Sequence, residues 1–127
     1  MLTLAIQAGG KSSRMGEDKA LKLFNGIPLI QHVYNRMSPI ADEIIVTSNN
    51  PEAYSFLDLR IVPDLRLGRG ALGGLYTALS AAKGDLVAVV ACDMPFASNQ
   101  FFLAASKLIV THGADLIIPK TEYGYEP

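Results

Sequence analysis

Residues 86–91 read Leu-Val-Ala-Val-Val-Ala, apolar at every position. A strand with one wet face alternates apolar and polar side chains, whereas an unbroken run belongs to a strand covered on both faces. Leu2 to Ile6 and Glu43 to Val46 have nearly the same character, and shorter runs lie at Arg60 to Val62 and Leu116 to Ile118. Helical periods separate them. Pro28 opens one, with Leu29, Ile30, Val33 and Met37 on one face and Pro39 closing it. Gly73 to Ala82 carries Leu75, Ala78, Leu79 and Ala82 on one face and stops before Gly84. Ser98 is placed to cap a helix running to about Val110, with Gly113 ending it. A weaker helical turn covers Pro51 to Leu57.

Strands and helices in this order predict a three-layer, Rossmann-like α/β fold. Its sheet is mostly parallel, its crossovers are right-handed, and helices lie on both faces. At 127 residues the chain is expected to be one domain, 1–127, with no internal repeat or linker. It stops soon after its last strand, so a C-terminal part of the fold is expected to be missing.

Composition narrows the function. Half the residues are apolar and 18% are charged, which excludes a disordered chain. The 11 basic and 12 acidic side chains nearly cancel, leaving no electrostatic footprint for nucleic acid. No apolar run approaches the roughly 18 residues of a membrane helix, so no membrane partner is expected. The first basic residue is Lys11, which argues against a secretory signal. A single cysteine, Cys92, rules out an internal disulfide and suits a reducing, cytoplasmic setting.

Ligands of parallel α/β sheets bind at the carboxyl ends of the strands. The first strand runs into Ala8-Gly9-Gly10-Lys11-Ser12-Ser13-Arg14-Met15-Gly16-Glu17-Asp18-Lys19. Gly9 and Gly10 let backbone N–H groups approach an anion, and Ser12 and Ser13 add donors. Lys11, Arg14 and Lys19 place three cations within nine residues. That assembly suits a triphosphate. It is not a Walker A loop, because no Gly-Lys-Ser/Thr follows the glycines. Twelve residues also exceed the roughly 2–6 of a plain strand-to-helix turn.

Gly68-Arg69-Gly70-Ala71-Leu72-Gly73-Gly74 spells a dinucleotide fingerprint, and Asp93 lies twenty residues beyond Gly73. The context opposes that reading, since Pro63 to Leu67 intervene between strand and glycines. A lid or substrate-side loop is expected instead. The strand at 86–91 leads to Cys92-Asp93-Met94-Pro95. An aspartate there is a natural Mg²⁺ ligand beside a phosphate substrate, with a turn cap as the competing role. Asp64 shares both roles. Asn49 and Asn50 follow the second strand, where they would read a base edge or close a turn. His32 and His112 lack metal-ligand spacing, and Cys92 reads as packing.

The glycine-rich stretch, with Asp18-Lys19-Ala20-Leu21, resembles the signature of the nucleotidyltransferase superfamily of GT-A-like fold. Ala91-Cys92-Asp93-Met94-Pro95-Phe96 makes the chain most similar to the molybdenum cofactor guanylyltransferase family. Asn25 to Ile30, Val62-Pro63-Asp64 and the run Gly70 to Gly74 fall in the family's order, so the likeness covers essentially the whole chain. It implies transfer of GMP from GTP to molybdopterin-bound molybdenum cofactor, with release of pyrophosphate and with Mg²⁺ as cofactor. Proteins that hand over the molybdenum cofactor are implied as further partners.

By motif position, nucleotide contacts fall to Gln7, Ala8, Gly9, Gly10, Ser12, Ser13, Lys19, Asn49, Asp64 and Asp93. The catalytic roles fall to Arg14, Lys19 and Asp93, and the metal to Asp93. Gln7 departs from the leucine common in the family, which leaves its backbone contacts in place and its side-chain role open. Alternatives are a related transferase using CTP or a sugar-phosphate acceptor, and a non-catalytic nucleotide-binding domain.

Overall fold

The structure is a computed structural model that describes residues 1–8, 19–63, 70–92, 94, 96–118, 120–121 and 124–125. It forms two compact units, Met1–Ala97 and Ser98–Pro127.

The first unit is built on four parallel strands. These are β1 (Leu2–Gln7), β4 (Glu43–Thr47), β5 (Arg60–Val62) and β6 (Leu86–Ala91), in the order β5-β4-β1-β6. The short strands β2 (Leu23–Phe24) and β3 (Ile27–Pro28) pair as a separate antiparallel hairpin. Helix α1 (Leu29–Met37) follows β3, and α2 (Gly70–Ala81) precedes β6.

The chain leaves β1 toward one edge of the sheet through α1 and returns from β5 to the opposite edge through α2. Two right-handed crossovers running in opposite directions place their helices on opposite faces. The register agrees. Ala5 lies level with Ile45 and Val89, and these pack with Ala78 of α2. The alternate row, Ile6 with Val46 and Val90, faces the other way and is buried. Ile30, Val33 and Met37 of α1 are fully buried, as their shared helical face requires.

The amino-terminal end of the sheet is clamped by polar groups. Glu43 Oε1 accepts from Thr3 Oγ1 at 2.8 Å and from the Lys83 amide at 2.9 Å. The Gly84 amide donates to Thr3 Oγ1 at 2.9 Å. Arg60 stands 3.9 Å from Glu43 and also donates to the Ala81 carbonyl.

The second unit contains α3 (Asn99–His112) and a two-stranded hairpin of β7 (Lys120–Thr121) and β8 (Gly124–Tyr125). Ser98 caps α3 as its position suggests, its Oγ accepting from the Phe101 amide at 3.1 Å. Gly113 ends the helix in the left-handed conformation.

Three features differ from the sequence expectation. Leu116 to Ile118 is not a strand; Leu116 is 67% exposed and Ile118 44% exposed. A short apolar run becomes a strand only where a neighbour takes up its backbone hydrogen bonds, and no strand is paired with it among the described residues. Gly70 to Leu72, expected in a loop ahead of a helix from Gly73, is instead the first turn of α2, a helix that packs on the sheet through Ala78. The Asn25-Gly26 pair closes the β2–β3 hairpin with both residues at positive φ, an element outside the expected set although Asn-Gly is a strong hairpin signal.

Candidate nucleotide site

At the carboxyl ends of the four strands the backbone hydrogen bonding continues one residue beyond each ladder. The Ser48 amide donates to the Val62 carbonyl at 3.0 Å and the Ala8 amide to the Thr47 carbonyl at 2.9 Å. The Cys92 amide donates to the Gln7 carbonyl at 3.0 Å. Ala8, Ser48, Val62 and Cys92 therefore stand side by side on one rim.

The crossover leaving β1 runs to β4 on one side, and the crossover from β5 through α2 arrives at β6 on the other, so the reversal of strand order falls between β1 and β6. This is the switch point at which open α/β sheets bind ligands. The glycine-rich stretch follows β1 in the chain, and the Cys92-Asp93 stretch follows β6.

Of the residues expected at the site, Gln7, Ala8 and Asn49 are described in full. Gln7 is the last residue of β1 and is half-buried. Its carboxamide lies over Gly74 of α2, where an added Cβ would come within 3.0 Å of Nε2. The glycine thus permits close packing of helix on strand, which explains its place inside a helix despite its poor propensity. Ala8 is buried. Asn49 is exposed in the turn after β4, where Ser48 Oγ accepts from the Asn50 amide at 3.0 Å. Lys19 opens a 3-10 turn, Lys19–Leu21, anchored by the fully buried Ala20. Gly9, Gly10, Ser12, Ser13, Arg14, Asp64 and Asp93 lie outside the described residues.

The segment after β6 is held from α1. Arg36 Nε donates to the Ala97 carbonyl at 2.6 Å, and Phe96 meets Phe24 edge-on at 5.6 Å between ring centres. His32 Nε2 donates to the Phe24 carbonyl at 2.6 Å and its ring stands edge-on to Phe24. His32 thus ties the β2–β3 hairpin to α1.

The residue missed from sequence is Tyr54. It is fully buried in the 3-10 segment Pro51–Leu57, and its hydroxyl donates to the Ala8 carbonyl at 3.3 Å. A lone tyrosine in a short helical turn carries no signal of a partner 46 residues away. Among the described residues no group of three His, Cys, Asp or Glu side chains is placed to hold a metal. No helix among them is long and apolar enough to cross a membrane.

A parallel α/β sheet of this order places its ligand end at the carboxyl rim between β1 and β6. Residues 4–127 match the MobA-like NTP transferase domain, and the chain belongs to that family. A probable molybdenum cofactor guanylyltransferase from Carboxydothermus hydrogenoformans is 45% identical over 94 residues, covering 74% of this chain and 47% of that protein. One from Natranaerobius thermophilus is 35% identical over 130 aligned positions, covering 99% and 63%. Among solved structures, molybdopterin-guanine dinucleotide biosynthesis protein A from Archaeoglobus fulgidus superposes with a TM-score of 0.77 at 26% identity. That match covers 98% of this chain and 64% of the other. The chain therefore spans between about half and two thirds of the proteins it matches, and its α/β nucleotidyltransferase fold is theirs.

Proposed function

We propose that this chain is the donor-nucleotide part of a single nucleotidyltransferase domain. The reaction carries GMP from GTP to molybdopterin-bound molybdenum cofactor, in the cytoplasm. The observation that supports it most directly is the alignment of Ala8, Ser48 and Cys92 on one rim. They precede, respectively, the glycine-rich stretch, Asn49 and Asp93; the first and last belong to motifs that carry the family resemblance, and Asn49 is a contact the resemblance implies.

In the proposed reaction a phosphate oxygen of the acceptor attacks the α-phosphorus of GTP. The new P–O bond forms as the bond to the bridging oxygen of the β-phosphate breaks, and pyrophosphate departs with that electron pair. The attacking phosphate is already anionic, so no general base is needed. The protein's part is alignment and charge neutralisation. Lys19 and Arg14, with the amides of the Gly9-Gly10 stretch and the hydroxyls of Ser12 and Ser13, hold the triphosphate. Gln7, Ala8 and Asn49 flank the nucleoside, and Asp64 accepts from guanine N1–H and N2–H.

A hard divalent cation fits this donor set. Magnesium keeps waters and substrate phosphates in its shell, so Asp93 with the GTP phosphates suffices to hold it without a protein cluster. When bound, Mg²⁺ neutralises charge that builds on the transferring phosphoryl group.

Titration calorimetry with GTP, CTP and NAD, each with and without Mg²⁺, tests the reading. Binding of GTP that strengthens with Mg²⁺ and exceeds CTP is expected. Preference for CTP would assign a cytidylyltransferase, and preference for NAD without a metal effect would assign a non-catalytic dinucleotide domain.

A further inference from the structure

Two chain segments supply the proposed nucleoside contacts, the end of β1 at Gln7 and Ala8 and the turn after β4 at Asn49. Backbone bonding between β1 and β4 ends with the Ala8 amide on the Thr47 carbonyl. Beyond that pair the two segments need another tie.

Tyr54 supplies one. The 3-10 segment Pro51–Leu57 begins two residues after Asn49, with Tyr54 and Leu57 as its buried side chains. The buried ring fixes this segment to the body, and its hydroxyl reaches the Ala8 carbonyl at 3.3 Å, inside the protein. A peptide unit is planar and trans, so a carbonyl held in one direction also sets the direction of the amide that follows it. A buried carbonyl without a donor costs free energy, so the hydroxyl gives this peptide orientation a preference over others.

We propose that Tyr54 is a positioning residue for nucleotide binding, its hydroxyl locking the Asn49 turn to the end of β1 so that both segments meet the nucleotide in register. The inference rests on the proposed GTP site. It concerns a fully buried residue placed to act through the Ala8 carbonyl.

The test uses Tyr54→Phe, which keeps the buried ring and removes the hydroxyl, alongside Val33→Ala, which opens a cavity under α1 and leaves the Tyr54 hydroxyl in place. Three measurements are made on the protein with each substitution: GTP affinity by calorimetry with Mg²⁺, thermal midpoint, and amide hydrogen exchange of a peptide spanning residues 5–19. Tyr54→Phe should raise the GTP Kd about tenfold and speed exchange in that peptide, while lowering the midpoint less than Val33→Ala does. Val33→Ala should leave the Kd within about twofold.

Parent-like affinity and exchange in Tyr54→Phe would overturn the inference while leaving the GTP reading intact. An equal loss of affinity in Val33→Ala would overturn it too, by showing a general response to lost stability. Failure of the parent protein to bind GTP would overturn the GTP reading, and this inference with it.

Discussion

The Cys92 amide donates to the Gln7 carbonyl at 3.0 Å, so β6 ends level with β1 at the point where strand order reverses. Residues from opposite ends of the first unit thereby reach the same rim by backbone bonding alone. The main chain sets the rim, and the residues next in sequence are those proposed to hold the nucleotide.

The aspartate after Cys92 is expected to matter through its charge. Asp93→Asn preserves shape and capping ability, since asparagine is itself a good cap. Turnover by the protein should fall to a small fraction while the thermal midpoint moves little. Near-normal turnover would return Asp93 to a capping role.

Lysine at position 19 is expected to bear on the triphosphate. Lys19→Ala should weaken GTP binding by about 1.5–3 kcal/mol, the range for a hydrogen bond to a charged group. Lys11→Ala should weaken it less. Calorimetric affinities of the two variants decide this, and equal affinity of Lys19→Ala and parent would remove Lys19 from the site.

At the opposite end of the sheet, Gly84 has no room for a side chain. A Cβ there would come within 2.6 Å of the Met1 carbonyl and 2.7 Å of Thr3 Oγ1. The first of these is backbone and yields little. Gly84→Ala should cost about 2–3 kcal/mol and lower the thermal midpoint by roughly 10 °C or more. GTP affinity, measured well below that midpoint, should not change, because the clamp lies at the far end of the strands.

The same clamp makes stability depend on acid. The Lys83 amide bonded to Glu43 holds its carboxyl below the ordinary value of 4.5, helped by the Thr3 hydroxyl and the nearby Arg60 and Lys83 charges against a smaller opposing effect of burial. A carboxyl whose folded pKa is depressed contributes stability that is fully present above its unfolded pKa. That contribution is lost as pH falls through the folded one. The stability difference between parent and Glu43→Gln should therefore be constant above about pH 5 and shrink on further acidification. Denaturant titrations from neutral pH down through the carboxylate range measure it, and a difference that does not change with pH would count against the clamp.

Local pattern determined the elements whose signals are local. The unbroken apolar run 86–91 is β6 to the residue, and Arg60–Val62 is β5. Ser98 and Gly113 mark helix ends because each satisfies backbone groups of α3 within one turn, and Pro28 marks the start of α1 by its restricted φ. The glycine-rich stretch follows β1 directly, and that placement leads to the expectation of a ligand at that end of the sheet.

What the tertiary structure decided has no local signature. The order β5-β4-β1-β6 arises from packing and crossover handedness between segments far apart in sequence. Gly70 to Leu72 spells a loop by propensity and is helix in the fold, continuous with a segment that packs on the sheet through Ala78 and closely on Gln7 at Gly74. Leu116 to Ile118 spells a strand by composition and stays irregular, since a strand needs a partner to bond with. The bond from Tyr54 to Ala8 joins groups 46 residues apart, and only the folded sheet brings a buried hydroxyl to that carbonyl. Periodicity is a property of neighbours along the chain, and register between strands is a property of neighbours in space.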